Sequence, residues 1–209
     1  MTRPSRQRPT APRAWQRMLS GRRLNLLDPS PLDVEIRDIA HGLARVARWN
    51  GQTIGPYPYS VAQHSLAVEA IFNALSAAPD PTDQLAVLLH DAPEYVVGDL
   101  ISPFKAAIGD AYRNVEERLM RAIELRFSIP ADRSGERTRL TKVADRIAAH
   151  HEATALAGFS SDEANALFGA PAIDHAGLAD MLTPWSTLDA EERFLARFEA
   201  LDAAARLRR

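Results

Sequence analysis

Cysteine is absent from the 209 residues. That excludes disulfides and a thiolate nucleophile, fits a reducing compartment, and means that any metal site must use histidine and carboxylate. A charge excess is missing too: the net charge of -2 and pI near 6.3 give no general attraction to nucleic acid or to an anionic membrane. A small or locally recognised partner is expected instead, with no stable nucleic-acid binding. No apolar run approaches the roughly 18 residues of a membrane span, which predicts a soluble, cytoplasmic protein. Sustained two-residue alternation and internal repeats are also lacking. The expected fold is therefore all-α, and the length fits one domain with a single buried core.

Acid is missing locally from residues 1–23, which carry Arg3, Arg6, Arg8, Arg13, Arg17, Arg22 and Arg23 beside Pro4, Pro9 and Pro12. This stretch has no apolar run of secretory-signal length and reads as a disordered basic arm, with residues 24–209 as the helical domain. Asp28-Pro29-Ser30-Pro31 forbids regular helix. Ile36, Ile39, Ala40, Leu43, Ala44 and Ala47 then recur at helical spacing, leaving His41, Arg45 and Arg48 on a polar stripe that ends beside Trp49.

Ser60 and Gln63 have the spacing of a capping box and predict a helix from Val61, apolar on most sides. Thr82 or Asp83 is expected to cap the next helix. Its run Leu85-Ala86-Val87-Leu88-Leu89 is too apolar for a surface position, and Pro93 predicts a kink or an end near Asp91. Gly98 to Pro103 reads as a loop. Further helices are expected from Asp110 to Phe127, from Ser134 to about Leu156, and after a cap at Ser186 or Thr187, with residues 158–186 only weakly periodic.

The chemistry concentrates between Ser60 and Asp99. His64, His90 and Asp91 fall among apolar residues that read as buried helix, where an uncompensated imidazole or carboxylate is costly. A divalent metal would compensate them, because neutral imidazole and carboxylate are the ligands that first-row ions prefer. Asp145 interrupts an otherwise apolar helical pattern and is the candidate fourth ligand. His150 and His151 compete, but they lie about 140° and 120° around the helix from Asp145. His41 and His175 read as surface or supporting histidines.

Ser-Val-Ala-Gln-His-Ser (Ser60 to Ser65), Leu-Leu-His-Asp-Ala-Pro-Glu (Leu88 to Glu94), Gly-Asp-Leu-Ile-Ser-Pro (Gly98 to Pro103) and Lys-Val-Ala-Asp-Arg-Ile (Lys142 to Ile147) resemble, in that order, the HD-domain metal-dependent phosphohydrolases. The resemblance is strongest to the bacterial 5'-deoxynucleotidase branch and covers roughly Asp38 to Ala157. It implies an HD-type helical bundle with His64, His90, Asp91 and Asp145 as ligands of one divalent transition metal ion, Mn, Co or Zn, with Mg as a further option. The interval between Asp91 and Asp145 lacks the extra histidines of two-metal relatives.

By the same resemblance, Glu94 handles protons for the water or the leaving alcohol, and Asp99 assists at the sugar or the water. Arg48 and Trp49 hold the phosphate and pack near the sugar. Independently of the resemblance, Lys105, just beyond Asp99, is a further candidate for binding substrate. The loop from Arg48 to His64 departs from the family pattern in length, and Gln63 stands where a glutamate is common. The expected reaction is hydrolysis of deoxynucleoside 5'-monophosphates by a homo-oligomer. A deoxynucleoside triphosphate triphosphohydrolase is the alternative, recognisable if Lys105, Arg113 and Arg118 converge on the pocket, and a catalytically silent nucleotide-binding module is the alternative of another class.

Overall fold

The computed structural model describes residues 13–132 and 134–208. Two short antiparallel strands, β1 (Trp15–Arg17) and β2 (Arg23–Asn25), open the described chain. Residues 13–23 thus form a docked hairpin rather than the open arm expected there, whereas Arg3, Arg6 and Arg8 lie outside the described residues. Three contacts explain the difference. Leu24 is fully buried in the core, Ser20 donates through its backbone N–H and its hydroxyl to Asp38, and Arg22 pairs with Glu35 at 2.7 Å. Three-residue strands are too short to register as alternation in the sequence.

After a 3-10 turn capped by Ser30, helix α1 spans Ile36–Leu43. It stops short of the expected Ala47. That residue is extended (φ -85°, ψ 130°) and forms an isolated bridge with Ser60, while the Arg48 N–H donates to the Tyr59 carbonyl at 2.8 Å. The polar stripe is consequently broken. His41 and Arg45 meet Glu191 on the surface, and Arg48 turns inward.

Helix α2 (Val61–Leu75) begins where expected, with the Ser60 hydroxyl accepting from the Gln63 N–H. The reciprocal half of the capping box is not made. The Gln63 amide instead donates to the carbonyls of Met181 and Thr183 and accepts from the Trp185 N–H. Helix α3 (Pro81–Leu88) is capped by Asp80, two or three residues before the expected caps, because Pro81 takes the first helical position, where no N–H is needed. Pro93 separates it from α4 (Glu94–Val97). His90 and Asp91 stand in the intervening turn.

Helices α5 (Ser102–Ile108) and α6 (Asp110–Arg126) follow, then α7 (Glu136–Ala155), α8 (Ser161–Phe168) and α9 (Thr187–Arg206), which Ser186 caps. The all-α expectation holds. α8 was not expected, although Ser160 and Glu163 form a reciprocal capping box.

Helix α2, most of which is buried, is central and packed against α7, α3 and α9. One side of it meets a core of Ile39, Leu43, Leu85, Leu88, Ile123 and Phe194. The other meets a second core of Val87, Ala144, Ile147, Leu178 and Leu182. Between the two, the first turn of α2 carries polar groups into the interior. No helix among the described residues is long and apolar enough to cross a membrane.

Candidate metal centre

His64 leaves the first turn of α2 fully buried. Its ring meets the turn after α3, where His90 lies with ring centroids 5.4 Å away. Both rings have a defined orientation. His64 Nδ1 is 2.5 Å from Glu152 Oε1 and His90 Nδ1 is 2.9 Å from the Val87 carbonyl. A carboxylate and a carbonyl only accept, so each Nδ1 carries the proton and each Nε2 is turned toward the other side.

Those two Nε2 atoms are buried and make no hydrogen bond. They face carboxylates: Asp145 Oδ1 lies 3.2 Å and Asp91 Oδ2 3.5 Å from His64 Nε2, and Asp91 Oδ2 is 3.1 Å from His90 Nε2. His64, His90 and Asp145 offer ligand atoms within 4.8 Å of one another, a group that could hold a metal ion. Two unpartnered imidazole nitrogens converging with carboxylate oxygens form the donor set of a first-row divalent cation, so the residues fit the ion.

The electrostatics agree. Burial and the neighbouring Arg48 guanidinium lower the His64 imidazole, but Glu152, Asp145 and Asp91 outweigh them and raise it. Burial raises Asp91 while His90 and His64 hold it well down in its ionised form. The cluster favours a cation, and a divalent ion would supply that charge where a second imidazole proton otherwise sits.

The competing histidines have other partners. His150 Nε2 lies 2.9 Å from Asn165 Oδ1 and His151 Nε2 donates to the Ile173 carbonyl, both away from Asp145. His41 faces Glu191, and the His175 side chain lies outside the described residues.

Asp91 and Asp145 open onto a cavity of about 670 Å³ that Arg48, Trp49, Glu94, Asp99, Lys105 and Arg146 also line. A space of this size suits a small organic ligand. Glu94 is 1% exposed. Burial, reinforced by the Asp91 and Asp99 carboxylates and opposed by Lys105 and Arg48, pushes it up to about 8. Its Oε1 accepts from Lys105 Nζ at 3.1 Å, whereas its Oε2 is buried without a partner. This carboxyl is therefore poised to exchange a proton near neutrality.

Asp99 turns toward Arg48, with Oδ2 3.4 Å from Nη1. Arg48 Nε and Nη2 reach Glu152 Oε2 at 3.3 Å. Of the five N–H donors of a guanidinium, these three bonds leave two for an anion. Trp49 occupies the left-handed region at φ 57°, a conformation that a bulky residue adopts only when its surroundings enforce it. The enforcing contacts are its indole N–H, which donates to Glu152 Oε2 at 2.9 Å, and its packing on Phe159 and Phe168. These three aromatic residues form one wall of the cavity.

Sequence reasoning missed Glu152, Phe159 and Phe168. Glu152 lies seven residues after Asp145 on α7, hence on nearly the same face, and it is fully buried. Burial pushes its carboxyl up, but Arg48, His64 and Trp49 outweigh this and hold it down at about 2. A lone acid two turns beyond a candidate ligand, in a helix of alanines, was the signal available.

No family model matches the chain. An uncharacterized protein of Rhodobacter capsulatus is 58% identical over 159 residues, which cover 76% of this chain and 81% of that protein. The chain belongs to the same family as this Rhodobacter capsulatus protein.

Proposed function

We propose that this chain is a cytoplasmic, metal-dependent phosphohydrolase of the HD-domain type that converts deoxynucleoside 5'-monophosphates to deoxynucleoside and phosphate. The observation that carries this reading is the pair of buried, unpartnered Nε2 atoms on His64 and His90, set with Asp91 and Asp145 behind a cavity that also holds cations and an aromatic wall. One Mn, Co or Zn ion held by those four residues would act as a Lewis acid toward the phosphate and acidify the water beside it.

The residues of the chain account for the remaining steps. Arg48 has two N–H groups left for phosphate oxygens, and its Glu152 and Asp99 contacts fix its orientation. Glu94 takes a proton as the water oxygen attacks phosphorus. It returns that proton to the 5'-oxygen as the P–O bond to the sugar breaks, which suits a carboxyl raised toward neutrality. Trp49, with Phe159 and Phe168, shapes the side of the cavity where sugar and base would lie.

The cations favour a monophosphate over a triphosphate. Lys105 and Arg146 join Arg48 at the cavity, but Arg113 is an exposed partner of Asp110 and Arg118 donates to the Leu27 carbonyl. The charge expected for a triphosphate does not converge.

The test is turnover by chelated protein resupplied separately with Mn, Co, Zn or Mg, on matched deoxynucleoside and ribonucleoside mono- and triphosphates, with Asp91→Ala alongside. Orthophosphate released from monophosphates and lost in the variant is the expected result. Intact tripolyphosphate from triphosphates would replace this reading with the triphosphohydrolase. A folded, metal-loaded protein without turnover would leave a nucleotide-binding module.

A further inference from the structure

We infer that Glu152 is a positioning residue that joins the metal-holding His64 to the anion-holding Arg48 and to Trp49 through one carboxylate. The inference rests on the metal-dependent reading above and adds a residue to it. Oε1 accepts from His64 Nδ1. Oε2 accepts from Arg48 Nε and Nη2 and from the Trp49 indole N–H. The side chain is fully buried, so water does not substitute for any of these partners.

The chemistry requires an ionised carboxylate, because every neighbour of both oxygens is a donor. A glutamine offers one acceptor and one NH2 group. With its oxygen toward His64, its NH2 faces the donors of Arg48 and Trp49. With its oxygen toward Arg48 and Trp49, its NH2 faces His64 Nδ1 and asks that nitrogen to accept, which moves the ring proton to Nε2, the atom that faces Asp91 and Asp145. Either arrangement breaks one side of the site. An acid on the far side of a ligating imidazole also fixes its ring and raises its basicity, and loss of such a partner lowers metal affinity about 10- to 100-fold.

The experiment compares the full-length protein with Glu152→Gln. Each is chelated and titrated with Zn2+ against a competing chromophoric chelator, and inorganic phosphate binding to the zinc-loaded forms is followed by calorimetry. Zn2+ affinity about 10- to 100-fold weaker in the variant, with weaker phosphate binding, is the expected result. A melting point that falls while the Zn2+ affinity of the folded variant equals that of the parent would reduce Glu152 to a structural role and overturn the inference. Zn2+ uptake by neither protein would overturn the metal-dependent reading as well. A second measurement needs no variant: 15N spectra of the zinc-loaded parent should show His64 protonated at Nδ1 and coordinating through Nε2, and coordination through Nδ1 would overturn the inference.

Discussion

Lys105 Nζ lies 3.1 Å from Glu94 Oε1, so the carboxyl that burial pushes up to about 8 is restrained by one ammonium. Lys105 opposes the burial of Glu94, and its removal raises that carboxyl further. In Lys105→Met the acid limb of kcat/KM against pH should move to higher pH, with less activity at neutrality. An unmoved limb would separate Glu94 from the proton transfer.

The same carboxyl makes stability depend on pH. Its folded value of about 8 lies above the ordinary 4.5, so the folded state holds the proton more tightly than the unfolded chain. The stabilisation is complete below 4.5 and is lost as pH rises through about 8. Urea midpoints of the metal-free protein should therefore fall across that window relative to Glu94→Gln, and parallel profiles would contradict the assignment.

Metal removal should register as a loss of thermal stability. An ion that binds only the folded state at 100 times its Kd adds about 2.7 kcal/mol, so Zn2+ or Mn2+ should raise the melting point of chelated protein in a concentration-dependent way. Asp145→Ala removes a carboxylate 3.2 Å from His64 Nε2 and should abolish most of that rise. Differential scanning fluorimetry over a metal series reads both.

Gln63 anchors the segment before α9 through three hydrogen bonds, to Met181, Thr183 and Trp185. Gln63→Glu would set an acceptor against the Met181 and Thr183 carbonyls and leave buried groups unsatisfied, at about 1–3 kcal/mol each. Denaturant titration should show Gln63→Glu less stable than the parent.

Gly42 lets α1 approach α4. A Cβ there would stand 2.7 Å from Tyr95 Cβ and 2.9 Å from the Tyr95 carbonyl oxygen. Gly42→Ala should cost about 1–3 kcal/mol and, by shifting the turn that holds Glu94, lower kcat more than it changes metal affinity. Equal kcat in a destabilised variant would show that α4 absorbs the displacement.

The polar interruptions of helical pattern were legible because each has a local signature. Ser60 before α2, Pro93 after the His90-Asp91 pair and Asp145 among alanines mark their positions without reference to any other part of the chain. Periodicity likewise located α2, α6, α7 and α9 to within a few residues, since an amphipathic or wholly apolar face has to recur along the helix that carries it. Helix ends were less legible. Ala47 continues the helical pattern of α1, yet the bridge to Ser60 draws it into an extended conformation, a contact between positions thirteen residues apart.

By itself, the sequence determined the helical class and the absence of thiol chemistry and marked His64, His90, Asp91 and Asp145 as candidates, because propensity, composition and residue type are local properties; that His64, His90 and Asp145 converge is a property of the packed helices. Tertiary structure alone decided that residues 13–23 dock through Leu24 and Asp38, that Arg113 and Arg118 stay away from the cavity, and that Phe159 and Phe168 wall it. It also decided the role of Glu152, whose partners lie 88, 103 and 104 positions away in the chain. Such partners meet only when helices pack, and one buried carboxylate then satisfies donors that no local pattern had linked.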